Sequence, residues 1–246
     1  VANGMLHSPV PLAILPGGTA NVLAREMGLP LRLEKAAAQI PKLRPARISA
    51  GRLHVPGSLP RLFLCMTGAG LDAQIVYHLN LDLKAALGKF AYYASGFRQV
   101  FRPLCEFEVR VDGERFHASF ALISRVRNYG GDLEIARGAS LLRGDFEVVL
   151  FRGTQSVGYL RYLAAVLIGR AHRARGCTIL RGRSIVCRCA ESAAGLAAGN
   201  IYVQVDGELA GKLPITAEIV PEALTLLTPP EYLARERDLP AVPMRA

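Results

Sequence analysis

From residue 46 onward the chain is built of short apolar runs, each closed by glycine, proline or a polar turn. They lie at 47–53, 61–66, 107–111, 115–125, 146–151, 178–180, 184–189, 201–205 and 215–220. Runs of this length, many with side chains alternating between two faces, predict strands, and so many strands predict a β-rich domain. Residues 224–227 predict a last strand, and the charged stretch after Pro229 predicts a frayed tail. Before residue 46 the pattern differs. An apolar stretch at 11–15 runs into Pro16-Gly17-Gly18-Thr19, and 21–28 follows with helical spacing and a glycine stop, which reads as strand, tight turn and helix. A second helix is predicted over 33–40, closed by Pro41 and Pro45. The pattern therefore divides the chain into a small α/β unit at 1–45, a β-rich domain at 46–228 and a tail at 229–246. Two helical segments, 83–100 and 157–168, interrupt the strands; Tyr92, Tyr93, Phe97 and Phe101 in the first are read as core.

Charge changes the picture in one place. The net charge is +10, and between Val148 and Ala190 stand eight arginines (152, 161, 170, 173, 175, 181, 183 and 188) with no Asp or Glu. Such a segment suits an anionic partner, lipid headgroups or nucleic acid, with a plain solvated face as the competing reading. Nucleic acid is not expected, because only Phe151, Tyr159 and Tyr162 are interleaved as stacking aromatics. No uncharged apolar run approaches the roughly 20 residues that cross a bilayer. Five cysteines without a Cys-x-x-Cys pair point to a reducing, cytoplasmic setting, and the histidine spacings supply no zinc site. His78, His117 and His172 are isolated and read as structural or exposed. The chain starts at Val1 without a signal-like segment, and its start is read as a truncation.

Two stretches carry candidate chemistry. In Gly17-Gly18-Thr19-Ala20-Asn21 the glycines let the backbone approach a ligand, and helix amides with the Thr19 hydroxyl can hold a phosphate. The same residues also read as a turn with a threonine cap. Asp206-Gly207-Glu208, after an apolar strand, offers two carboxylates, either of which can accept a proton from a hydroxyl. Asp-Gly is equally a routine hairpin turn, and Asp112-Gly113-Glu114 repeats the tripeptide after the same kind of strand. Spacing alone does not separate the two.

Order along the chain does. Ala2-Asn3-Gly4, Leu15-Pro16-Gly17-Gly18-Thr19-Ala20-Asn21-Val22-Leu23-Ala24-Arg25, Thr67-Gly68-Ala69-Gly70-Leu71-Asp72-Ala73, Gly88-Lys89-Phe90-Ala91-Tyr92, Asn128-Tyr129-Gly130-Gly131 and Asp206-Gly207-Glu208 together resemble the catalytic region of the diacylglycerol kinases. That region is shared by bacterial lipid kinases and sphingosine kinases, and the resemblance runs from Val1 to about Pro230. It implies an NAD kinase/diacylglycerol kinase-like two-domain fold, an α/β remnant followed by a β-sandwich-like domain. It implies ATP with Mg²⁺ as the donor and a lipid hydroxyl as the acceptor; with the cytoplasmic setting read from the cysteines, the arginine-rich segment would then give the enzyme peripheral contact with anionic membrane.

By position, Thr19 matches a nucleotide-contacting threonine flanked by Gly17, Gly18 and Asn21. Glu208, with Asp206 beside it, matches the acidic pair that holds the general-base role, and Asp72 matches an aspartate that supports the site through water and metal. In the family a Gly-Gly-Asp-Gly-Thr loop precedes the equivalent of Ala2-Asn3-Gly4; this chain begins after it, so the piece is expected to be inactive alone. One departure stands out. The family's Asp-Gly-Leu-Leu-Asp, whose first Asp serves a structural magnesium site, aligns with Arg143-Gly144-Asp145-Phe146-Glu147, and an arginine cannot ligate Mg²⁺. Asp145 could take that Asp's place after a local shift, and no metal ligand is assigned there. A non-catalytic lipid- or nucleotide-binding protein that keeps the fold is the competing reading. Oligomeric state and acceptor lipid are not encoded in these motifs.

Overall fold

The computed structural model describes residues 1–70, 73, 105–129, 133–153, 176–189 and 201–237. In chain order the strands are β1 (Arg44–His54), β2 (Arg61–Phe63), β3 (Met66–Gly70), β4 (Phe107–Val111), β5 (Glu114–Ala118), β6 (Phe120–Ser124), β7 (Asn128–Tyr129), β8 (Leu133–Glu134), β9 (Phe146–Phe151), β10 (Cys177–Gly182), β11 (Ser184–Cys189), β12 (Tyr202–Val205), β13 (Glu208–Lys212) and β14 (Ile215–Thr228). They form two six-stranded sheets, β2-β1-β14-β11-β4-β5 and β10-β9-β6-β3-β12-β13, with β7 and β8 as a separate pair. The expected β-sandwich-like domain is what forms. Leu53, Phe63, Val109 and Ile185 of the first sheet share one core with Ala69, Ile123, Val148 and Val203 of the second.

Strand chemistry follows exposure. In β4, Phe107, Val109 and Val111 are buried while Glu108 and Arg110 alternate toward solvent, as a half-covered antiparallel strand requires. β9 is buried at every position, because a second core lies on the other face of its sheet. Val149 and Phe151 enter that second core, together with Ala24, Met27 and Leu29 from the N-terminal segment and Tyr232 from the C-terminal one. The N-terminal segment contributes α1 (Val22–Glu26) and α2 (Leu33–Ala37). Its apolar stretch at 11–15 makes one isolated bridge, Leu12 to Leu226, rather than a strand.

Four sequence expectations are revised. The run 61–66 splits into β2 and β3. The run 115–125 breaks at Ser119, where the chain passes from the first sheet to the second and the Ser119 hydroxyl donates to the Gly153 carbonyl at 2.6 Å. Residues 215–228 form one strand, not two. The tail, expected to fray, begins with α3 (Pro230–Arg237). Tyr232 and Glu236 of α3 are buried, and its charges are held by distant partners: Arg127 donates to Glu236 at 2.6 Å, and Arg235 donates to the Glu26 carbonyl at 2.9 Å. The predicted helices at 83–100 and 157–168 lie outside the described residues. Among those described, no helix is long and apolar enough to cross a membrane.

Candidate active site

Asp206 and Gly207 link β12 to β13 with φ angles of 48° and 84°. Two consecutive left-handed residues mark the tight turn that joins twisted antiparallel strands. The Asp206 side chain does not point away from this turn. Its Oδ1 accepts the amides of Cys65 (3.0 Å) and Met66 (2.9 Å), and its Oδ2 accepts that of Leu64 (3.1 Å). The Asp206 amide in turn donates to the Met66 carbonyl at 2.8 Å. One aspartate thus clamps the β2–β3 link, which is why the run 61–66 breaks there. Although the turn backbone is exposed, the surrounding chain crowds the carboxyl. This desolvation raises its pKa, against the opposing pull of the three amides and Arg61.

Glu208 opens β13 and points to solvent, its side chain 73% exposed, with Arg61 donating to it at 2.7 Å. An ion pair this exposed is worth about 0–1 kcal/mol, so the carboxylate is easily released to another partner. Next to Arg61, the Leu62 amide donates to Asn3 Oδ1 at 2.6 Å. Asn3, Arg61, Asp206 and Glu208 therefore meet in one place, although they are far apart in the chain. The two acids, interchangeable in sequence, are unlike in structure: both Asp206 oxygens are filled by amides, whereas Glu208 is accessible. Arg61 was not anticipated, since it belongs to no motif.

Gly17, Gly18 and Thr19 are exposed. Asn21, at φ 49°, closes the loop: its Oδ1 accepts the Gly18 amide at 2.8 Å and its Nδ2 donates to the Gly18 carbonyl at 2.7 Å. Helix α1 starts only at Val22, so Thr19 is not its cap. A Cβ on Gly17 would meet nothing within 4 Å, and one on Gly18 would stand 3.5 Å from Asn21 Oδ1. The fold itself does not demand glycine at either position, and the bare backbone faces open space. Among the described residues no hydrogen bond or ion pair joins this loop to the Glu208 cluster. The loop is instead carried by α1, which Glu26 anchors by accepting the Arg127 amide at 2.7 Å, beside the Asn128-Tyr129 motif.

Asp72, His78, Tyr92, Tyr93, Phe97, Phe101, Gly130, Gly131 and His172 lie outside the described residues, as do Arg161, Arg170, Arg173 and Arg175. His117 is exposed on β5. Of the remaining arginines in the basic segment, Arg152, Arg183 and Arg188 are exposed. Arg181 is not part of any surface patch, because it lies between Asp145 and Glu147 with its side chain 7% exposed.

Comparison with known proteins places this geometry. Residues 65–228 match the YegS C-terminal NAD kinase beta sandwich-like domain, and residues 1–53 match the diacylglycerol kinase catalytic domain. The chain belongs to the diacylglycerol kinase family. Within that family it is 28% identical over 226 residues to a diacylglycerol kinase of Mycobacterium tuberculosis, covering 89% of this chain and 70% of the relative. It is 25% identical over 221 residues to one of Bacillus subtilis, covering 87% and 68%. The fold matches that of a diacylglycerol kinase from Bacillus anthracis with a TM-score of 0.69 at 21% identity, covering 94% of this chain and 72% of the other. The match over residues 1–53 contains the 17–21 loop, and the match over residues 65–228 contains Asp206 and Glu208.

Proposed function

We propose that this member of the diacylglycerol kinase family is an ATP-dependent lipid kinase that moves the γ-phosphate to a hydroxyl of diacylglycerol or a related lipid. The observation that carries the reading is the division of labour in the acidic turn: Asp206 is fixed by three amides, and the adjoining Glu208 presents an exposed carboxylate paired with Arg61. In this reading Glu208 accepts the proton of the acceptor hydroxyl as its oxygen bonds to the γ-phosphorus and the bond to the ADP oxygen breaks. Asp206 holds the β2–β3 link, and with it Arg61, in register with the turn. The open backbone of Gly17 and Gly18, with Thr19 and Asn21, contacts the nucleotide, and Asp72 supports the reacting groups.

Of the described candidate acids only Glu208 is unclamped, so they form no metal cage, and Mg²⁺ is expected to arrive with ATP, where it neutralises phosphate charge. The nucleotide would lie between the 1–45 unit and the 46–228 domain. The exposed arginines would hold the enzyme at an anionic membrane surface. The test is transfer of labelled phosphate from ATP into extracted lipid by the protein expressed from its full reading frame. Labelled lipid that depends on ATP and on protein is the expected result. Absence of transfer to diacylglycerol, phosphatidylglycerol and sphingoid acceptors, by folded protein, would leave a lipid- or nucleotide-binding role instead.

A further inference from the structure

Arg125, just after β6, is fully buried at 0% exposure. Among the described residues its guanidinium forms no ion pair with a carboxylate, and it is surrounded by backbone carbonyls. Nη1 donates to Arg143 O (2.7 Å) and Asp145 O (2.6 Å), and Nη2 donates to Leu141 O (2.7 Å) and Ser49 O (3.1 Å). Three of the four acceptors come from alternate residues of one short loop, a backbone arrangement that turns successive carbonyls toward a single positive centre. Loops that bind hard cations use oxygen ligands in this way. Burial lowers the Arg125 pKa to about 10 and Asp145 opposes the shift, so the group is charged at neutral pH.

The balancing charge lies one layer out. Arg181 pairs with both Asp145 oxygens, one at 2.8 Å, and with Glu147 at 3.4 Å, and it donates to the Gly138 carbonyl at 2.9 Å. Two guanidinium groups thus stand against two carboxylates, with the Arg143 charge also near Glu147. The fit is tight, since a Cβ on Gly138 would come within 2.2 Å of Glu147 Oε2.

This loop coincides with the place where the family resemblance implies a structural Mg²⁺, and its donors do not fit one. Arg143 stands where an acid is needed, the Asp145 carboxylate belongs to Arg181, and the carbonyls of 141, 143 and 145 are taken. Among the described residues, no group of three His, Cys, Asp or Glu could hold a metal ion. We propose that the Arg125 guanidinium is a built-in replacement for a structural divalent cation, gathering the 141–145 carbonyls and tying them to β1 through Ser49. The fold of this chain is then independent of divalent metal.

The test is the melting temperature of the nucleotide-free protein in EDTA, Mg²⁺ or Ca²⁺. Wild type should melt at the same temperature in all three. Arg125→Met should melt roughly 10 °C lower, because it leaves the buried carbonyls without donors, and Arg125→Lys should fall between, since one ammonium cannot span four acceptors. Any buried arginine would give that loss, so the deciding variant is Arg125→Ala combined with Arg143→Asp, which frees the carbonyls and supplies a carboxylate. It should gain a cation-dependent rise of several degrees that wild type lacks. Loss of wild-type stability in EDTA that Mg²⁺ restores, or a double variant that neither ion stabilises or rescues, overturns the proposal.

Discussion

Asp112-Gly113-Glu114 and Asp206-Gly207-Glu208 sit at the outer edges of different sheets and are folded alike. Their Asp and Gly φ angles are 47° and 93° in one, 48° and 84° in the other. In each, the preceding valine pairs with the glutamate, Val111 with Glu114 and Val205 with Glu208. In each, the aspartate amide donates to a neighbouring chain, to Ser184 O at 2.9 Å or Met66 O at 2.8 Å, and its carboxylate accepts amides from that same chain. The tripeptide therefore encodes a turn that clamps the segment beside it, and nothing more. What differs is the company. The Asp112 clamp holds Arg183 and Ser184. The Asp206 clamp holds the link beside Arg61, which faces Glu208 and adjoins Asn3. If there is catalysis, it resides in the surroundings of the second glutamate and not in the shared motif.

The largest effect should separate the two glutamates. In the enzyme from the full reading frame, Glu208→Gln should lower kcat by about 10²- to 10⁴-fold, since glutamine keeps the size but cannot take the proton. Glu114→Gln should leave kcat and KM unchanged. Equal activities in the two variants would sink the assignment of Glu208.

A smaller contrast should separate the two aspartates. At Asp112, Oδ1 reaches both amides, Arg183 at 2.9 Å and Ser184 at 2.8 Å, and Oδ2 only shares the Arg183 amide at 3.1 Å, so Asp112→Asn leaves each amide an acceptor and should cost less than Asp206→Asn, about 1 kcal/mol. At Asp206 the three amides need both oxygens, and Asp206→Asn sets an NH₂ against the Leu64 amide. That change should cost about 1–3 kcal/mol in urea unfolding. Its loss in kcat should be smaller than that of Glu208→Gln. The reverse order would make Asp206 the base and Glu208 the bystander.

These contrasts mark how far the sequence could be read. Strands at 107–111, 146–151 and 184–189 were legible to the residue, because alternation or an unbroken apolar run is bounded by turns on both sides. The split of 61–66 was not, because the group that bends it, Asp206, lies 140 residues from Met66. β13 was missed for a local reason: Glu208-Leu209-Ala210-Gly211-Lys212 has no alternation, and the pairing shifts by a bulge at Val203/Gln204. Helix α3 looked like a solvated tail because its charges find partners, Glu26 and Arg127, that no window of sequence contains. The glycine loop was recognisable by composition. The unequal roles of Asp206 and Glu208 depend on which backbone amides come near, and Arg125 is a lone arginine ending an apolar run until the carbonyls of 141–145 surround it.

The smallest expected difference is between the two glycines, and it tests whether the turns are truly equivalent. Gly113 and Gly207 both hold left-handed φ angles, and a Cβ on either would meet no atom within 4 Å. Substitution by alanine therefore introduces no clash at either place, only the intrinsic penalty of a left-handed L-residue, about 1–2 kcal/mol. Gly113→Ala and Gly207→Ala should lose this same amount in urea unfolding, to within about 0.5 kcal/mol. In the active enzyme the two should still part, because a methyl group on Gly207 adjoins the carboxylate assigned to the acceptor hydroxyl, and one on Gly113 adjoins nothing that reacts. A rise in KM confined to Gly207→Ala, at equal loss of stability, would show identical turns in unlike surroundings. Unequal stability losses would mean that the surroundings already shape the turn, and the comparison between the two glutamates would then have to be corrected for it.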